Sequence, residues 1–293
     1  MKQTKMGRYS IKELETLSGI KAHTIRIWEK RHRLIIPERT PTNIRYYSDE
    51  DLKKIINVSL LNNHGIKISK IAEMSDSQIQ SEIVQLTAHT SETDLFIEQL
   101  IIAMIDMEEE QFEKILSHLV IKFGFEKMIT EIAYPFLEKI GVLWQTGNID
   151  PAQEHFISNL MRQKIIVAID SLPFAPHDAR KVVMFLPENE LHELGLLYFH
   201  YILRKNGFRT FYLGQHLPLK DVISVCRTHK PEALVTVLTV SAKGKKTQQY
   251  VEELLEHAPG VKLFAAGHYS TQLDMTNPNL KLFKDASSLL SLF

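Results

Sequence analysis

From residue 181 onward, short apolar runs alternate with amphipathic segments, and this alternation restricts the fold more than any other feature of the sequence. The apolar runs KVVMFLP, FRTFYLG, EALVTVLTV and VKLFAAG are typical of strands. The segments between them, ELGLLYFHYILRKNG, PLKDVISVCRTHK and KKTQQYVEELLEHAP, have the apolar spacing of helices. Because parallel strands need long crossover connections, this pattern predicts an α/β, doubly wound parallel sheet over residues 176–293.

The net charge of zero conceals three segments of different charge. Residues 1–70 hold 15 Lys and Arg against 7 Asp and Glu, residues 71–160 hold 4 against 16, and residues 161–293 hold 16 against 12. Such segregation suggests a basic module attached to modules with other partners. No long apolar run or apolar leader is present, so we expect no membrane span and no secretion. The single cysteine, Cys226, fits a reducing cytoplasm.

The basic segment contains two short helical patterns around a glycine turn. Ser10 is expected to cap IKELETLSG, Gly19 to end it, and Thr24 to cap TIRIWEKRH, which together form a helix-turn-helix. A turn-rich hairpin, ERTPTNIRYY, and a helix capped by Ser48 follow. Such a helix fits the major groove of duplex DNA, with flanking basic residues on phosphates. Composition alone leaves open a small basic domain that docks on protein.

The strings YSIKELETLSGIKAHTIRIWEKRHRLIIPERTPTNIRYYSDEDLKKI and LLNNHGIKISKIAEM resemble the MerR family of transcription regulators. The resemblance implies a winged helix-turn-helix over residues 1–76 that binds double-stranded promoter DNA as a dimer, with a sensory domain behind it. It further implies DNA contacts from Thr24, Arg26, Arg45 and Tyr46. The metal-sensing branch of the family uses paired cysteines, so a chain with one cysteine is not expected to sense metals through thiols.

Residues 77–175 have few strand signals and repeat their apolar residues at intervals of three and four. The periodic segments are SETDLFIEQLIIAMID, EEEQFEKILSHLVIKFG, FEKMITEIAYPFLEKIGVLWQTG and DPAQEHFISNLMRQKIIVAID. Four such helices joined by short loops predict a four-helix bundle.

Glu154 and His155 follow Trp144 by ten and eleven residues. Taken alone, such a pair is usually a solvated helix face, and a tryptophan is more often bundle core. The spacing Trp-x9-Glu-His, however, resembles the helical cap of light-responsive, cobalamin-dependent MerR repressors. The resemblance implies that Trp144 packs against the upper ligand of the cofactor and that Glu154 and His155 line its pocket. Pro151 stands where those repressors have a small aliphatic residue, which leaves the upper ligand open.

The stretch ENELHELG, residues 188–195, joins the first predicted strand of the α/β region to the helix after it, at the sheet edge where such folds bind ligands. His192 in this loop suits a general base, a metal ligand, a cap or no role at all. No nucleophile elbow, phosphate loop or HExxH motif is nearby, so we expect no enzymatic activity. The acidic neighbours favour metal ligation, because a carboxylate can accept the ring's other N–H. Gly195 lets a bulky group approach the backbone.

Three short motifs follow one another in the last segment: Glu190-Leu-His192-Glu-Leu-Gly195, Thr236-Val-Leu238 and Ala266-Gly267. In order and interval they resemble the Asp-x-His-x-x-Gly, Ser-x-Leu and Gly-Gly motifs of the cobalamin-binding domain of methyltransferases, mutases and photoreceptor repressors. This resemblance implies a Rossmann-like domain in which His192 coordinates cobalt and displaces the dimethylbenzimidazole tail. Glu190 would hold His192, and the tail would run past Thr236, Leu238 and the Ala266-Gly267 turn.

Two cofactor motifs behind a MerR-like head predict a DNA-binding transcription regulator that senses cobalamin. By resemblance it is a repressor that binds adenosylcobalamin or methylcobalamin, forms a homodimer or tetramer, and responds to light through cleavage of the cobalt–carbon bond. One alternative is a regulator whose cobalamin domain has lost the cofactor and serves dimerisation or protein docking. A second is a corrinoid methyl carrier, against which the basic head argues.

Overall fold

The computed structural model describes residues 9–89, 93–145, 151–239 and 245–293. The chain divides into two compact units, Met1–Leu160 and Met161–Phe293, and each is described separately. The predicted three-domain division, with boundaries after residues 76 and 175, stays a prediction. Across the described ranges, no helix combines the length and the apolar sequence that a bilayer-spanning segment needs.

The first helix, α1 (Ile11–Ser18), begins and ends where the sequence predicted. The Ser10 side chain accepts a hydrogen bond from the backbone N–H of Glu13, whose carboxylate accepts one from the Ser10 N–H in return. Gly19 ends the helix with a φ of 71°, a backbone conformation that glycine adopts without strain. These bonds are local in sequence, so the caps of α1 could be predicted.

The second helix, α2 (Ala22–His32), begins two residues earlier than predicted, so the expectation that Thr24 caps it is wrong. Lys21 is the residue before the helix, and its carbonyl accepts hydrogen bonds from the N–H groups of Thr24 and Ile25. Thr24 therefore lies in the first turn. The turn after Gly19 is correspondingly shorter than the sequence suggested.

A short antiparallel hairpin follows α2, as predicted for the wing. Its strands are β1 (Glu38–Arg39) and β2 (Arg45–Tyr46), with Glu38 opposite Tyr46. A single bridge pairs Tyr9 with Tyr47, and both tyrosines are fully buried. The bridge joins the start of the described chain to the base of the wing.

The elements described between the wing and residue 170 are all helical. They are α3 (Asp49–Asn63), α4 (Ile68–Ala72), α5 (Asp76–His89), α6 (Thr93–Ile105), α7 (Glu109–Phe123), α8 (Phe125–Lys127), a π-helical turn (Met128–Ala133), α9 (Tyr134–Gln145) and α10 (Pro151–Asp170). Ser48 caps α3, as predicted. The four predicted segments of the helical region are confirmed as α6, α7, the run from α8 to α9, and α10. Helix α10 begins in the first unit and ends in the second.

The second unit is built on a parallel sheet. Its strands are β3 (Lys181–Pro187), β4 (Arg209–Leu217), β5 (Ala233–Val237), β6 (Lys262–Ala266) and β7 (Leu280–Leu282). Its helices after α10 are α11 (Leu194–Lys205), α12 (Leu219–His229), α13 (Lys245–His257), α14 (Ala286–Ser291) and a 3-10 turn (His268–Gln272). In the described part of this unit the strand order is β4-β3-β5-β6-β7. This doubly wound order confirms the predicted α/β fold and puts its switch point between β3 and β5.

Helices pack against the sheet, as a parallel sheet requires: α11 contacts β3, β4 and β5, and α12 contacts β3. Every residue of β5 is buried, and Val183, Phe185, Leu234 and Leu263 join α12 and α13 in one apolar core. Strand β7 and helix α14 have no counterpart among the predicted elements, because the predicted strand pattern ends at VKLFAAG. The neighbouring strands β3 and β5 are thus held rigidly, with their carboxyl ends side by side.

The turn after β6 passes very close to the end of β5. The Leu238 N–H donates to the Ala266 carbonyl at 2.8 Å, and the Tyr269 N–H donates to the Leu238 carbonyl at 3.1 Å. A Cβ atom added to Gly267 would lie 2.4 Å from the Leu238 carbonyl oxygen, and the φ of Gly267 is 94°. This position therefore accepts glycine alone, for reasons of both conformation and space.

We expect Gly267→Ala to destabilise the second unit by roughly 2–4 kcal/mol, since the backbone of Leu238 cannot move aside cheaply. Gly260→Ala is the matched control: its φ is also positive, at 83°, but no atom lies within 4 Å of an added Cβ. The control should lose only about 1 kcal/mol, the cost of the backbone conformation. Urea unfolding measures both, and equal losses would show that the close approach to Leu238 is not real.

Glu98 is a buried acid within α6, a helix whose residues 95–104 are all buried. Burial raises the pKa of Glu98 from 4.5 to about 8, against the opposing effect of Lys139. Among the described residues, its Oε2 atom has no hydrogen-bond partner. The folded protein therefore holds this proton at pH values where the unfolded chain has released it.

The free energy of unfolding should consequently fall as pH rises from 4.5 towards 8, and Glu98→Gln should remove this slope. Above pH 8 the variant should be more stable than the wild type by roughly 2–4 kcal/mol, because a buried glutamine carries no charge. Urea unfolding at pH 5 and pH 9 tests this. Glu131→Gln, at an exposed position, is the control, and an identical response of both variants would contradict the burial argument.

Candidate functional site

The loop at residues 188–193 leaves the carboxyl end of β3 beside the switch point of the sheet. The Glu190 N–H donates to the Pro187 carbonyl at 3.1 Å and closes a tight turn. From the end of β4, the Gln215 side chain donates to the Leu191 carbonyl at 2.8 Å, and His216 Nδ1 accepts from the Asn189 N–H at 3.0 Å. The loop is therefore anchored to the neighbouring strand before α11 begins.

Glu190 connects this loop to the segment after β5. Its side chain is only 4% exposed. Oε1 lies 2.7 Å from His192 Nδ1 and accepts the His192 backbone N–H at 3.0 Å, while Oε2 accepts the Thr239 N–H at 2.7 Å. The buried carboxylate thus holds the imidazole ring and at the same time joins the two sides of the switch point.

The imidazole of His192 lies at the surface, with 65% of its side chain exposed. Since Nδ1 faces Glu190, Nε2 is the candidate ligand atom for a metal. Among the described residues, no group of three or more His, Cys, Asp or Glu is placed to hold a metal ion. His192 therefore brings one candidate metal-ligating atom to this end of the sheet.

Glu193 extends from the same loop in another direction. Arg162 Nε donates to its Oε1 atom in a short ion pair, and the Tyr212 hydroxyl donates to its Oε2 atom at 2.9 Å. Burial, together with Glu193, raises the pKa of Tyr212 well above its usual range. Sequence reasoning missed Arg162 and Tyr212. They lie on α10 and β4, and no motif in the sequence connects them with the loop.

Two buried hydroxyls near the carboxyl ends of the strands have no hydrogen-bond partner among the described residues: Thr236 Oγ1 and the Tyr250 hydroxyl. Thr236 lies on β5 beside Ala265 of β6, and the Tyr250 ring is 6.4 Å from that of Phe185 on β3. A buried hydroxyl without a partner is destabilising, so each is suited to contact a bound polar ligand. The sequence indicated Thr236, but no pattern pointed to Tyr250.

The remaining motif residues of the second unit pack at the same end of the sheet. Leu238 and Ala266 are 4% and 3% exposed, and Gly267 forms the close approach already described. Gly195 lies in the first turn of α11, where an added Cβ would be 3.7 Å from Val237. The residues at the base of the site thus fit a corrinoid: one exposed imidazole, an orienting carboxylate and unpaired buried hydroxyls.

The predicted cap residues lie in the first unit. Trp144 belongs to α9, but its side chain falls outside what the structure describes. Glu154 ends the first turn of α10 and His155 begins the next; Glu154 accepts the Ser158 hydroxyl at 2.6 Å and lies 3.0 Å from His155 Nδ1. The His155 side chain is 73% exposed, so its ring is accessible.

The helix-turn-helix presents the predicted DNA-binding residues in two groups. On α2, Ile25 and Trp28 are buried, Thr24 is partly buried and Arg26 is exposed. On the wing, Arg45 is exposed and donates to Glu29 of α2 at 3.3 Å, and the Tyr46 hydroxyl donates to Glu38. The helix therefore has an apolar face against the domain core and a basic outer face.

Comparison with known families assigns three segments of the chain. Residues 9–78 match the MerR HTH family of regulatory proteins. Residues 96–168 and 180–277 each match a B12 binding domain, the first helical and the second containing the parallel sheet. Together these segments cover the helix-turn-helix, the helical region and the α/β region.

Two repressors match most of the chain. The HTH-type transcriptional repressor CarH of Myxococcus xanthus is 27% identical over 243 residues, 80% of this chain and 81% of that protein. The repressor CarA of the same organism is 25% identical over 226 residues, 76% of this chain and 74% of that protein.

Among solved structures, the Methanosarcina barkeri monomethylamine corrinoid protein aligns with a TM-score of 0.58. The alignment covers 69% of this chain and 98% of that protein at 16% identity. At so low an identity the likeness concerns the fold. The matched segments and the two repressors show that the chain is similar to MerR-family regulators that carry B12-binding domains behind a helix-turn-helix head.

Proposed function

We propose that this protein is a transcriptional repressor that binds cobalamin through His192 and uses it to control the affinity of its N-terminal head for promoter DNA. The observation that carries the proposal is the contact of Glu190 with His192. A buried acid orients an exposed imidazole at the switch point of the sheet, where doubly wound folds bind their ligands. Among the described residues no three or more His, Cys, Asp or Glu are grouped to hold a bare ion, whereas a corrin-bound metal would need only the one ligand that His192 offers.

The chain's own residues have distinct parts in holding the cofactor. Glu190 would hold the imidazole through Nδ1, which would leave Nε2 to bind the cobalt of the corrinoid. The hydroxyls of Thr236 and Tyr250 offer unpaired donors to the polar tail, while Gly267 keeps the end of β5 close to the next turn. Trp144, Glu154 and His155 would line the upper side. A bound alkylcobalamin would supply a cobalt–carbon bond that light can break.

On the DNA side, Arg26 and Thr24 of α2 would enter the major groove, and Arg45 and Tyr46 of the wing would contact the backbone. The Glu29 carboxylate holds Arg45 against the recognition helix, so the wing arginine is oriented before DNA arrives. A single helix-turn-helix reads one half-site, and two-fold operators are read by dimers. We therefore propose a homodimer or a tetramer acting in the cytoplasm.

The proposed response to light concerns how the cofactor changes the affinity for DNA. A ligand shifts a conformational equilibrium only by binding one state better than another. We infer that the dark, cofactor-bound protein favours the DNA-binding state and that loss of the upper ligand removes this preference. The similarity to two repressors supports the direction of control.

The role of His192 can be tested by absorbance. Purified protein incubated with excess adenosylcobalamin or methylcobalamin in the dark should keep the corrinoid through gel filtration. His192→Ala should weaken binding, and Glu190→Gln should weaken it by about 10- to 100-fold, as is usual for residues that orient a metal ligand. His257→Ala, at an exposed position on α13, is the control. Colourless wild-type protein would instead favour the alternative of a cofactor-free docking module.

The regulatory role can be tested with a promoter duplex that the dark, cofactor-loaded protein selects from random-sequence DNA. A mobility shift should form in the dark and disappear after illumination, and the same protein without cofactor should not respond to light. Arg26→Ala should weaken the shift roughly tenfold or more in every condition, because an exposed contact on the recognition helix is lost. A shift that neither cofactor nor light alters would refute the proposed control.

One observation favours a second candidate, a corrinoid carrier, namely the shared fold with the monomethylamine corrinoid protein. The N-terminal helix-turn-helix argues against it, because a carrier has no need of an exposed basic recognition helix. The mobility shift also separates the two candidates, since a carrier should not select DNA.

A further inference from the structure

Glu193 occupies an unusual position next to the proposed metal ligand. It precedes α11, and its carbonyl accepts the Leu197 N–H at 2.8 Å, the first bond of that helix. An acid at this position commonly caps the helix or complements its positive end. Here the carboxylate bonds instead to Arg162 and Tyr212 and is only 8% exposed. Glu193, the residue after His192, is therefore bonded to side chains of two other elements, α10 and β4.

One side of this arrangement is rigid. Tyr212 belongs to β4, and its ring stacks on that of His200 of α11 with centroids 5.0 Å apart and planes at 11°. His200 Nε2 lies 2.9 Å from the Thr210 hydroxyl, again on β4. Burial lowers the pKa of His200 to about 4, so this ring stays neutral at physiological pH. The hydroxyl that Glu193 accepts is thus fixed by the sheet and α11.

The other side is exposed and belongs to a different element. The Arg162 side chain is 48% exposed and comes from α10, which runs from Pro151 to Asp170 without interruption. His155 lies seven residues before Arg162 on this helix, two turns away and on the same helix face. A displacement of α10 at His155 therefore reaches Arg162 through continuous helical backbone, over roughly 10 Å.

We propose that the ion pair of Arg162 with Glu193 couples α10 to the His192 loop, so that Glu193 acts as a positioning residue for the His192 imidazole. This inference rests on the proposed function. If α10 moves when the ligand on the upper face of the cofactor changes, Arg162 moves with it. Because Glu193 is bonded to both Arg162 and Tyr212, this movement would displace the backbone at His192. Coupling of this kind is reciprocal, so ligation of His192 must also restrain α10.

The energetic basis is the burial of the Glu193 carboxylate. A buried charge that loses its cation is strongly destabilised, so α10 cannot leave the loop without a large penalty or a rearrangement of the loop. Glu190 holds the imidazole independently, through a different carboxylate with different partners. Changes at Arg162 should therefore alter the response of the site to the cofactor while leaving the metal ligand in place.

The test uses the full chain loaded with adenosylcobalamin in the dark, with Arg162→Met and Glu193→Gln compared against Arg227→Met, which removes an exposed arginine of α12. Hydrogen exchange followed by mass spectrometry should show that cofactor binding protects residues 151–170 and 188–197 of the wild type together. In Arg162→Met the loop should keep its protection, while the added protection of α10 should fall at least about fivefold, given that typical coupling factors are about 5- to 150-fold. Arg227→Met should behave as the wild type.

A second measurement reports the axial ligand itself. During acid titration of the loaded protein, the visible spectrum shows the pH at which the imidazole leaves cobalt. In Glu193→Gln this pH should rise by about one unit, which corresponds to roughly tenfold weaker ligation. Arg162→Lys keeps the positive charge and should restore much of the α10 response, and it also serves if Arg162→Met does not fold.

The possible outcomes separate this inference from the proposed function. If wild-type protein binds no corrinoid, the proposed function fails and the coupling fails with it. If the wild type is coloured and ligated, but Arg162→Met and Glu193→Gln match Arg227→Met in exchange and in titration, the coupling alone is overturned. If Arg162→Met loses the cofactor-induced protection in both the loop and α10, Arg162 only stabilises the fold and the coupling is again overturned.

Discussion

The site depends on the hydrogen bond between the Glu190 carboxylate and the backbone N–H of Thr239. This bond crosses the switch point of the sheet, and the same carboxylate orients His192. A buried carboxylate is tolerated only when its oxygens are satisfied, so the loop after β3 and the segment after β5 have to meet. The imidazole can therefore be placed correctly only after the parallel sheet has formed with β3 beside β5.

Two carboxylates on either side of His192 divide the work of holding it. Glu190 faces the sheet and fixes the ring, whereas Glu193 faces β4 and α10 and fixes the backbone. The imidazole between them stays exposed, whereas both carboxylates are buried. As a proposed metal ligand, His192 is preorganised by its supporting residues, so that metal binding would cost little free energy in ordering it. Through Glu193, the loop is also connected to Arg162 of α10.

The head shows a comparable use of acids to hold cations. Glu29 of α2 pairs with Arg45 of the wing, which keeps the hairpin against the recognition helix. Arg26 stays exposed on the same helix, because Ile25 and Trp28 occupy the buried face. The excess of basic residues in the first 70 positions thus becomes a directed surface only through the helix and hairpin that arrange it.

The sequence by itself determined the local features: the strands and helices from 181 to 266, the caps at Ser10 and Ser48, and the loop that carries His192. These rest on periodicity and on hydrogen bonds between near neighbours, which a pattern of residues encodes directly. Tertiary structure alone decided that β7 completes the sheet and that α2 begins before Thr24. It alone brought Arg162, Tyr212 and Tyr250 to the site, because contacts between residues distant in the chain depend on how the elements pack.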